Sequence, residues 1–426
     1  MVIETPVLDD LTTRALAARD GDARTYAKAV HHREYEPYQD AWAEALETRN
    51  RTVIVCPPDT YKALDLETQI PTPLGWRRFG DLQVDDEVFD EHGKPTYVVG
   101  ISSTWEDRTC YEVSFGDGTS IVADADHLWL TRTRKDLDGK LADEKTERRA
   151  VAALLRGSTD PRVGTHGPRV RTPSGSVKTT EELFTTVRIQ GRGGWNHHVP
   201  VTEAVEYQGS HLVIAPYTLG AWLGDGHSAN GRITNTDFEV WDSIVRDGYK
   251  LSDHELTRTV YGLHPELQEL GLLNNKHIPK CYLQASVESR WELLQGLMDT
   301  DGSPGKSGCI FVNTNEHLAY GVLELARSLG LVASIHEYEA KLNGTYVGQK
   351  WHVTFPTHLE VFRIRRKQQA LDRPGPKRQG KPIVAVTSVA PRPVRCISVS
   401  NPSGLFLAGR GFTPTHNSTT VRDFVE

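Results

Sequence analysis

Residues 411–418 read GFTPTHNS, and the last three of them, His416, Asn417 and Ser418, can carry out a reaction in that order. An asparagine side-chain amide can attack its own backbone carbonyl, close a succinimide and break the bond to the next residue. A neighbouring histidine can polarise that carbonyl or protonate the departing amine. A serine beyond the cut offers a hydroxyl nucleophile. Alone, the tripeptide also suits a polar turn, so its meaning depends on the segments around it.

Just upstream, residues 383–412 form short β-like segments broken by turns. The same texture fills residues 70–130, where Gly75, Asp85-Asp86, His92-Gly93 and Gly116-Asp117-Gly118 punctuate the runs. Two β-like stretches of one character, far apart in the chain, imply one β-domain split by an insertion. Between them, residues 131–200 hold 14 Lys+Arg against 8 Asp+Glu, and residues 361–381 hold 8 against 1. In a chain of net charge −7, such basic segments suit an anionic partner such as nucleic acid, or a solvated linker. Residues 210–370 alternate helical and strand patterns, as α/β or α+β domains do. Residues 1–50 read mostly helical, and Thr52–Val55 is a short β-branched run ending at Cys56.

The 426 residues suffice for two to four domains. No apolar run approaches the roughly 20 residues of a membrane span, and Met1–Asp10 lacks a signal pattern. These features predict an intracellular protein with no membrane partner. The five cysteines are scattered, without metal spacing or an even framework, so a special cysteine here is expected to be a nucleophile.

With these segments in view, the chain resembles an intein of the Hint fold. Leu64–Trp76 (LDLETQIPTPLGW), Phe79-Gly80-Asp81-Leu82 and Asp85–Gly93 resemble its opening. Ser120–Leu130 (SIVADADHLWL) resembles the block whose histidine, here His127, serves the N-terminal junction. Val394–Gly409 (VRCISVSNPSGLFLAG) and Gly411–Asn417 resemble the two closing blocks. One departure matters. Most inteins begin with Cys or Ser, whereas this segment begins at Ala63, which has no nucleophile. Cys396 stands where inteins often carry Asp, Trp129 follows His127 by two residues, and Thr415 precedes His416. This Trp–Cys–Thr set resembles the signature of class 3 inteins, in which the internal Cys attacks first. The resemblance implies that Cys396 attacks the Lys62 carbonyl with help from His127. Ser418 then takes the thioester, and Asn417 cyclises with help from His416. Asp124 lies three residues before His127, where many inteins carry Thr, and leaves the handling of the N-terminal peptide open.

Within the insertion, Thr218–Gly226 (TLGAWLGDG) and Leu294–Gly302 (LQGLMDTDG) resemble the paired motifs of LAGLIDADG homing endonucleases. Small residues such as Gly220, Gly224 and Gly296 let two helices pack closely, each ending in an acidic residue, Asp225 or Asp301. The resemblance implies that these carboxylates bind Mg²⁺ and cut double-stranded DNA, the intein-free allele of the host gene. Catalytic lysines are usual in that family, and Lys276 and Lys350 are candidates.

Removing residues 63–417 joins Lys62 to Ser418 and leaves strand, loop, Lys-Ser and helix, the layout of a P-loop. There Lys62 would reach phosphate and Ser418 would hold Mg²⁺, with ATP as cofactor. Cys56 and Tyr61 occupy the two glycine positions. Pro37-Tyr38-Gln39 resembles the adenine-contacting element of phage terminase large subunits. The expected host is therefore a terminase-like ATPase with phage packaging machinery as partner, in the cytoplasm of an infected bacterium. The alternative is another P-loop ATPase or helicase host whose intein splices but no longer cuts DNA. A cleavage-only Hint domain and a motor domain with an inert insertion are further alternatives.

The expected fold is multidomain. An all-β Hint splicing domain is split by an α/β (α+β) LAGLIDADG endonuclease and preceded by an α-rich fragment of a P-loop ATPase. The expected boundaries are 1–62 for the N-terminal host segment, 63–133 and 383–417 for the splicing domain, and 134–208 for a basic linker or DNA-recognition region. Residues 209–370 form the endonuclease, 371–382 a linker, and 418–426 the C-terminal host segment. The excised intein is expected to be monomeric.

Overall fold

The structure is a computed structural model that describes residues 62–133, 176–189, 194–209, 211–305, 308–357, 359–371 and 380–416. The expectations for residues 1–61, including Pro37-Tyr38-Gln39 and Cys56, lie outside the described residues. So do those for Asn417, Ser418, the rest of 418–426 and residues 134–175 of the basic region 134–208.

One unit is an eight-stranded sheet with smaller sheets around it. Its strands are β1 (Leu64–Asp65), β2 (Cys110–Phe115), β3 (Ser120–Asp124), β4 (Leu128–Thr133), β5 (Ser176–Thr179), β6 (His197–Val199), β7 (Lys381–Val389) and β8 (Val394–Arg395). Their spatial order is β8-β1-β3-β2-β7-β6-β4-β5. Period-2 alternation specifies the register: in β2, Val113 and Phe115 are buried while Glu112 and Ser114 are partly exposed. The β2–β3 hairpin turns at Gly118, whose φ of 81° lies in the left-handed region that glycine tolerates. β7 pairs with β2 through Val386↔Val113, and β8 with β1 through Leu64↔Arg395. The segments before and after the insertion therefore build a single sheet. Phe79, Val113, Trp129, Ile383 and Phe406 belong to its core.

β5, β6 and the helix Thr180–Thr186 differ from the expected boundaries. Residues assigned to a basic linker or DNA-recognition region add strands beside β4 and β7 and bury Leu183 in the β-core. The reason is local. Thr179 and Glu182 form a capping box at the helix start, and the flanking short strands find open edges to pair with. Sequence charge alone does not reveal such pairing.

The second unit centres on two helices, α1 (Pro216–Asp225) and α2 (Val287–Asp301). They cross where Gly220 faces Leu293 and Gly296 faces Tyr217. A Cβ on either glycine would collide with the opposite backbone. A three-stranded sheet (Arg232–Thr234, Thr257–Tyr261, Lys250–Leu251) follows α1. A four-stranded sheet (Gly302–Gly305, Gly308–Asn313, Thr345–Phe355, Ser334–Leu342) follows α2. Each half adds a helix: Phe238–Arg246 packs on α1, and Glu316–Ser328 packs on the four-stranded sheet. A core containing Trp222, Leu297, Phe311 and Val322 fills the space between.

The units meet at a dense polar seam. Arg290 is buried and donates to the Val205 carbonyl and, at 2.8 Å, to the Ser328 carbonyl. Arg327 donates to the Asp117 carbonyl at 2.9 Å. The Asp117 carboxylate pairs with buried Lys381 at 2.9 Å. Trp76 Nε1 reaches Glu324 at 2.8 Å while its ring packs on Phe412. Among the described residues, no helix is long and apolar enough to cross a membrane.

Candidate functional site

The first site surrounds the Lys62–Ala63 peptide. Ala63 enters β1 fully buried, in an apolar cluster with Cys110, Val394 and Cys396. Strand pairing sets this arrangement, because β1 runs between β8, which leads into Cys396, and β3, which ends at Asp124. Asp124 grips Ala63 twice. Its backbone N–H donates to the Ala63 carbonyl at 3.0 Å, and its Oδ1 accepts from the Ala63 N–H at 3.0 Å. Arg108 donates to the other carboxylate oxygen at 2.9 Å.

Cys396 is held through its backbone, with its N–H on Ser102 Oγ at 2.9 Å and its carbonyl accepting from Ser102 at 3.0 Å. Burial pushes its thiol up to about 12, and a hydrogen bond from the Lys62 backbone opposes the rise. His127 is fully buried, and burial drives its imidazole down to about 3. A hydrogen bond to the Lys62 backbone acts in the other direction, the sign expected of a carbonyl that accepts from the ring. Nε2 of His127 hydrogen-bonds Thr415 Oγ1.

Trp129 packs edge-on against His127 with ring centroids 4.9 Å apart. Its Nε1 donates to Thr180 Oγ1 at 3.0 Å, and Thr180 in turn donates to the His127 carbonyl at 3.2 Å. Trp129 thus reaches the Lys62–Ala63 peptide through the histidine that it braces. His416 follows Thr415 in the strand Thr413–His416 and lies close enough for its charge to disfavour protonation of His127. Lys62, His127, Trp129, Cys396, Thr415 and His416 therefore share one neighbourhood. Arg108, Ser102 and Thr180 complete it and carry no sequence motif that would have singled them out.

The second site lies at the ends of α1 and α2. Asp225 and Asp301 close the two helices, and each accepts a hydrogen bond from an asparagine, Asn235 at 2.6 Å and Asn313 at 2.7 Å. Burial raises both carboxyls. It carries Asp301 to about 6, and the Asp225 charge adds to that rise. The Asp225 charge thus reaches Asp301 across the helix pair.

Lys276 donates to the carbonyls of Leu223, Gly224 and Gly226, the last at 2.7 Å. Lys367 donates likewise to Met298, Asp299, Thr300 and Gly302, the last at 2.7 Å. Each lysine therefore sits on the negative end of one helix beside its aspartate. Burial lowers Lys276 to about 8, and it lowers Lys367 too. Lys350, the other lysine candidate from the sequence, pairs instead with Tyr338 in the Ser334–Phe355 hairpin. Lys367 was hidden in the basic run 361–381. The repeat Asn235-Thr236-Asp237 and Asn313-Thr314-Asn315 was a signal that could have marked the asparagines.

Among the described residues, no three His, Cys, Asp or Glu side chains converge as a closed metal site. A pair of buried carboxylates suits a hard cation that keeps waters and takes further oxygens from a bound phosphate.

Comparison with known proteins adds three findings. The LAGLIDADG-like domain model matches residues 288–369, which include most of α2 and the four-stranded sheet. Among solved structures, the MchDnaB-1 intein covers 83% of this chain and 98% of its own at 18% identity and TM-score 0.26. Mesophilic variants of the homing endonuclease I-DmoI cover 38% and 99% at 12% identity and TM-score 0.26. Scores this low carry no argument about this chain. A protein from Mycobacterium intracellulare named replicative DNA helicase DnaB is 39% identical over 379 residues, 88% of this chain. This chain spans 61% of that relative's length. The relative is a helicase by name, which overturns the expected terminase host and its phage-packaging partner. The chain thus carries a segment matching the LAGLIDADG-like domain and is similar over most of its length to a mycobacterial helicase.

Proposed function

We propose that residues 63–417 form a self-excising intein carrying a DNA-cutting endonuclease, inserted in the nucleotide-binding loop of a replicative helicase. The observation that carries the splicing reading is the Lys62–Ala63 peptide, buried between Cys396 and His127 while its own first residue lacks a nucleophile. Cys396 sulfur attacks the Lys62 carbonyl carbon, the C–N bond to Ala63 breaks, and the upstream segment becomes a thioester. His127, neutral at pH 7, polarises the Lys62 carbonyl, and Trp129 and Thr415 fix its orientation. Ser418 then takes the segment as an ester. Asn417 cyclises with His416 beside it, and the ester rearranges to a Lys62–Ser418 peptide bond. No nucleotide or metal is consumed in these steps.

For the endonuclease, Asp225 and Asp301 would hold Mg²⁺, with Asn235 and Asn313 fixing the carboxylate rotamers. A bound cation supplies charge stabilisation on phosphate oxygens and a water of lowered pKa. Double-stranded DNA of the uninterrupted host gene is the proposed substrate.

The helicase host follows from the similarity to the mycobacterial protein, with Lys62 and Ser418 as neighbours in the joined phosphate loop. The deciding experiment is mass spectrometry of the expressed chain. Splicing yields residues 63–417 as one product and residues 1–62 joined to 418–426 as the other. In Asn417→Ala, the C-terminal segment stays attached while hydroxylamine releases residues 1–62. Recovery of only the intact chain from the wild type would exclude the splicing reading.

A further inference from the structure

We propose that Asp124 is the proton carrier of the first cleavage, taking the Cys396 thiol proton and delivering it to the departing Ala63 nitrogen. The inference rests on the splicing reading above and deepens it. Its geometric basis is the 3.0 Å hydrogen bond from the Ala63 N–H to Asp124 Oδ1, which puts a carboxylate on the atom that must leave. Arg108 holds the second oxygen at 2.9 Å, and the Asp124 backbone fixes the Ala63 carbonyl, so the contact is rigid. Cys396 packs in one cluster with Ala63, the residue that Asp124 holds, and the Asp124 charge pushes the Cys396 thiol upward.

The chemistry needs such a group. A thiol raised to about 12 by burial has little free thiolate at neutral pH, and an imidazole lowered to about 3 by burial is a poor base. Asp124, raised to about 6 chiefly by burial, is the stronger base of the two at the junction. As sulfur bonds to the Lys62 carbon, the thiol proton passes to Asp124 and the carbonyl electron pair moves to oxygen. The oxygen's electron pair then re-forms the carbonyl as the C–N bond breaks, that bond's pair goes to nitrogen, and Asp124 returns the proton there. A thioester and a free Ala63 amine result, the carboxylate is regenerated, and no proton is gained or lost. Besides Ala63, the groups around Asp124 are Arg108, which favours its charge, and Asp126, which opposes it. Cys110 and Cys396 are the thiols that its charge acts on.

The test uses the full chain carrying Asn417→Ala, with hydroxylamine release of residues 1–62 followed by mass spectrometry. With Asp124 present, the rate should rise with pH through about 6 and then level off. Asp124→Asn keeps an acceptor for the Ala63 N–H but cannot carry the proton. It should slow release roughly 100-fold or more and remove that inflection. Arg108→Gln should move the inflection to higher pH, and it keeps the test alive if Asp124→Asn misfolds. A wild-type rate and profile in Asp124→Asn, or an unmoved inflection in Arg108→Gln, would overturn the proposal. Cys396→Ala separates the two readings. If it still releases residues 1–62, the splicing mechanism itself fails. If it is dead while Asp124→Asn is normal, only the proton-carrier assignment fails.

Discussion

The junction in the β-unit and the carboxylate pair in the helical unit bury ionisable groups for opposite purposes. At the junction no group is mirrored: the Cys396 thiol, the His127 imidazole and the Asp124 carboxylate play unlike parts around one peptide of the chain itself. At the helix ends everything occurs twice, with Asp225, Asn235 and Lys276 mirrored by Asp301, Asn313 and Lys367. On the proposed reading, the junction acts once on its own backbone and has no need of an entrance, and Ala63 is fully buried. A site built for a two-stranded, nearly symmetric polymer needs two equivalent arms, and a close helix crossing sets their spacing.

The largest effect that tests this contrast is Cys396→Ala. It should abolish cleavage at Lys62–Ala63 and leave DNA cleavage by the helical unit unchanged, as read by mass spectrometry and a plasmid-cutting assay. Loss of both activities would show that the units are not chemically separate. The converse is Asp225→Asn or Asp301→Asn. Either should remove Mg²⁺-dependent cutting of the uninterrupted host sequence while splicing proceeds at the wild-type rate. Cutting that survives in both variants would dismiss these aspartates as ligands.

A smaller effect concerns pH. The folded protein holds His127 near 3 against an ordinary 6.5, so the unfolded chain binds the extra proton first. Its contribution to stability is fully present above pH 6.5 and is lost as pH falls toward 3. The slope approaches about 1.4 kcal/mol per pH unit. Asp124 and Asp301 titrate with the opposite sign, because their folded values are raised. The measurement is therefore the difference between wild type and His127→Gln in urea unfolding at pH 7.5 and pH 5. The wild type should lose about 2 kcal/mol relative to the variant. A pH-independent difference would mean that folding leaves the proton affinity of His127 unchanged.

The smallest effect lies at the seam between the units. Trp76→Phe deletes the bond to Glu324 and should cost roughly 1 kcal/mol. Hydrogen exchange should rise around Trp76 and Glu324 and leave both sites protected. Opening of either site would show that the seam supports it directly.

Sequence motifs bring His127, Trp129, Cys396, Thr415, Asp225 and Asp301 into view because the chemistry of each is confined to a few residues. Arg108 and Thr180 were invisible because their importance comes from strand pairing across long separations. Lys367 was masked by its neighbours: in a run of basic residues no single charge stands out, and only a folded helix end distinguishes the one that caps it. The strands within residues 176–199 were not legible for a related reason. Charge described their surroundings, while their structure came from the free edges of β4 and β7. The upstream host segment was read from a motif resemblance alone, and a relative's name redirected that reading.

On the proposed reading, the pairing of β1 with β8 brings together the bond to be cut and the sulfur that cuts it from positions about 330 residues apart in the chain. When residue 63 leaves the ribosome, its attacker does not yet exist. At ordinary elongation rates, residue 396 follows on the order of 20–60 s later. Thr415, which orients the imidazole, comes later still. A half-made polypeptide therefore cannot sever its own leading segment, and the order of synthesis guards against premature breakage.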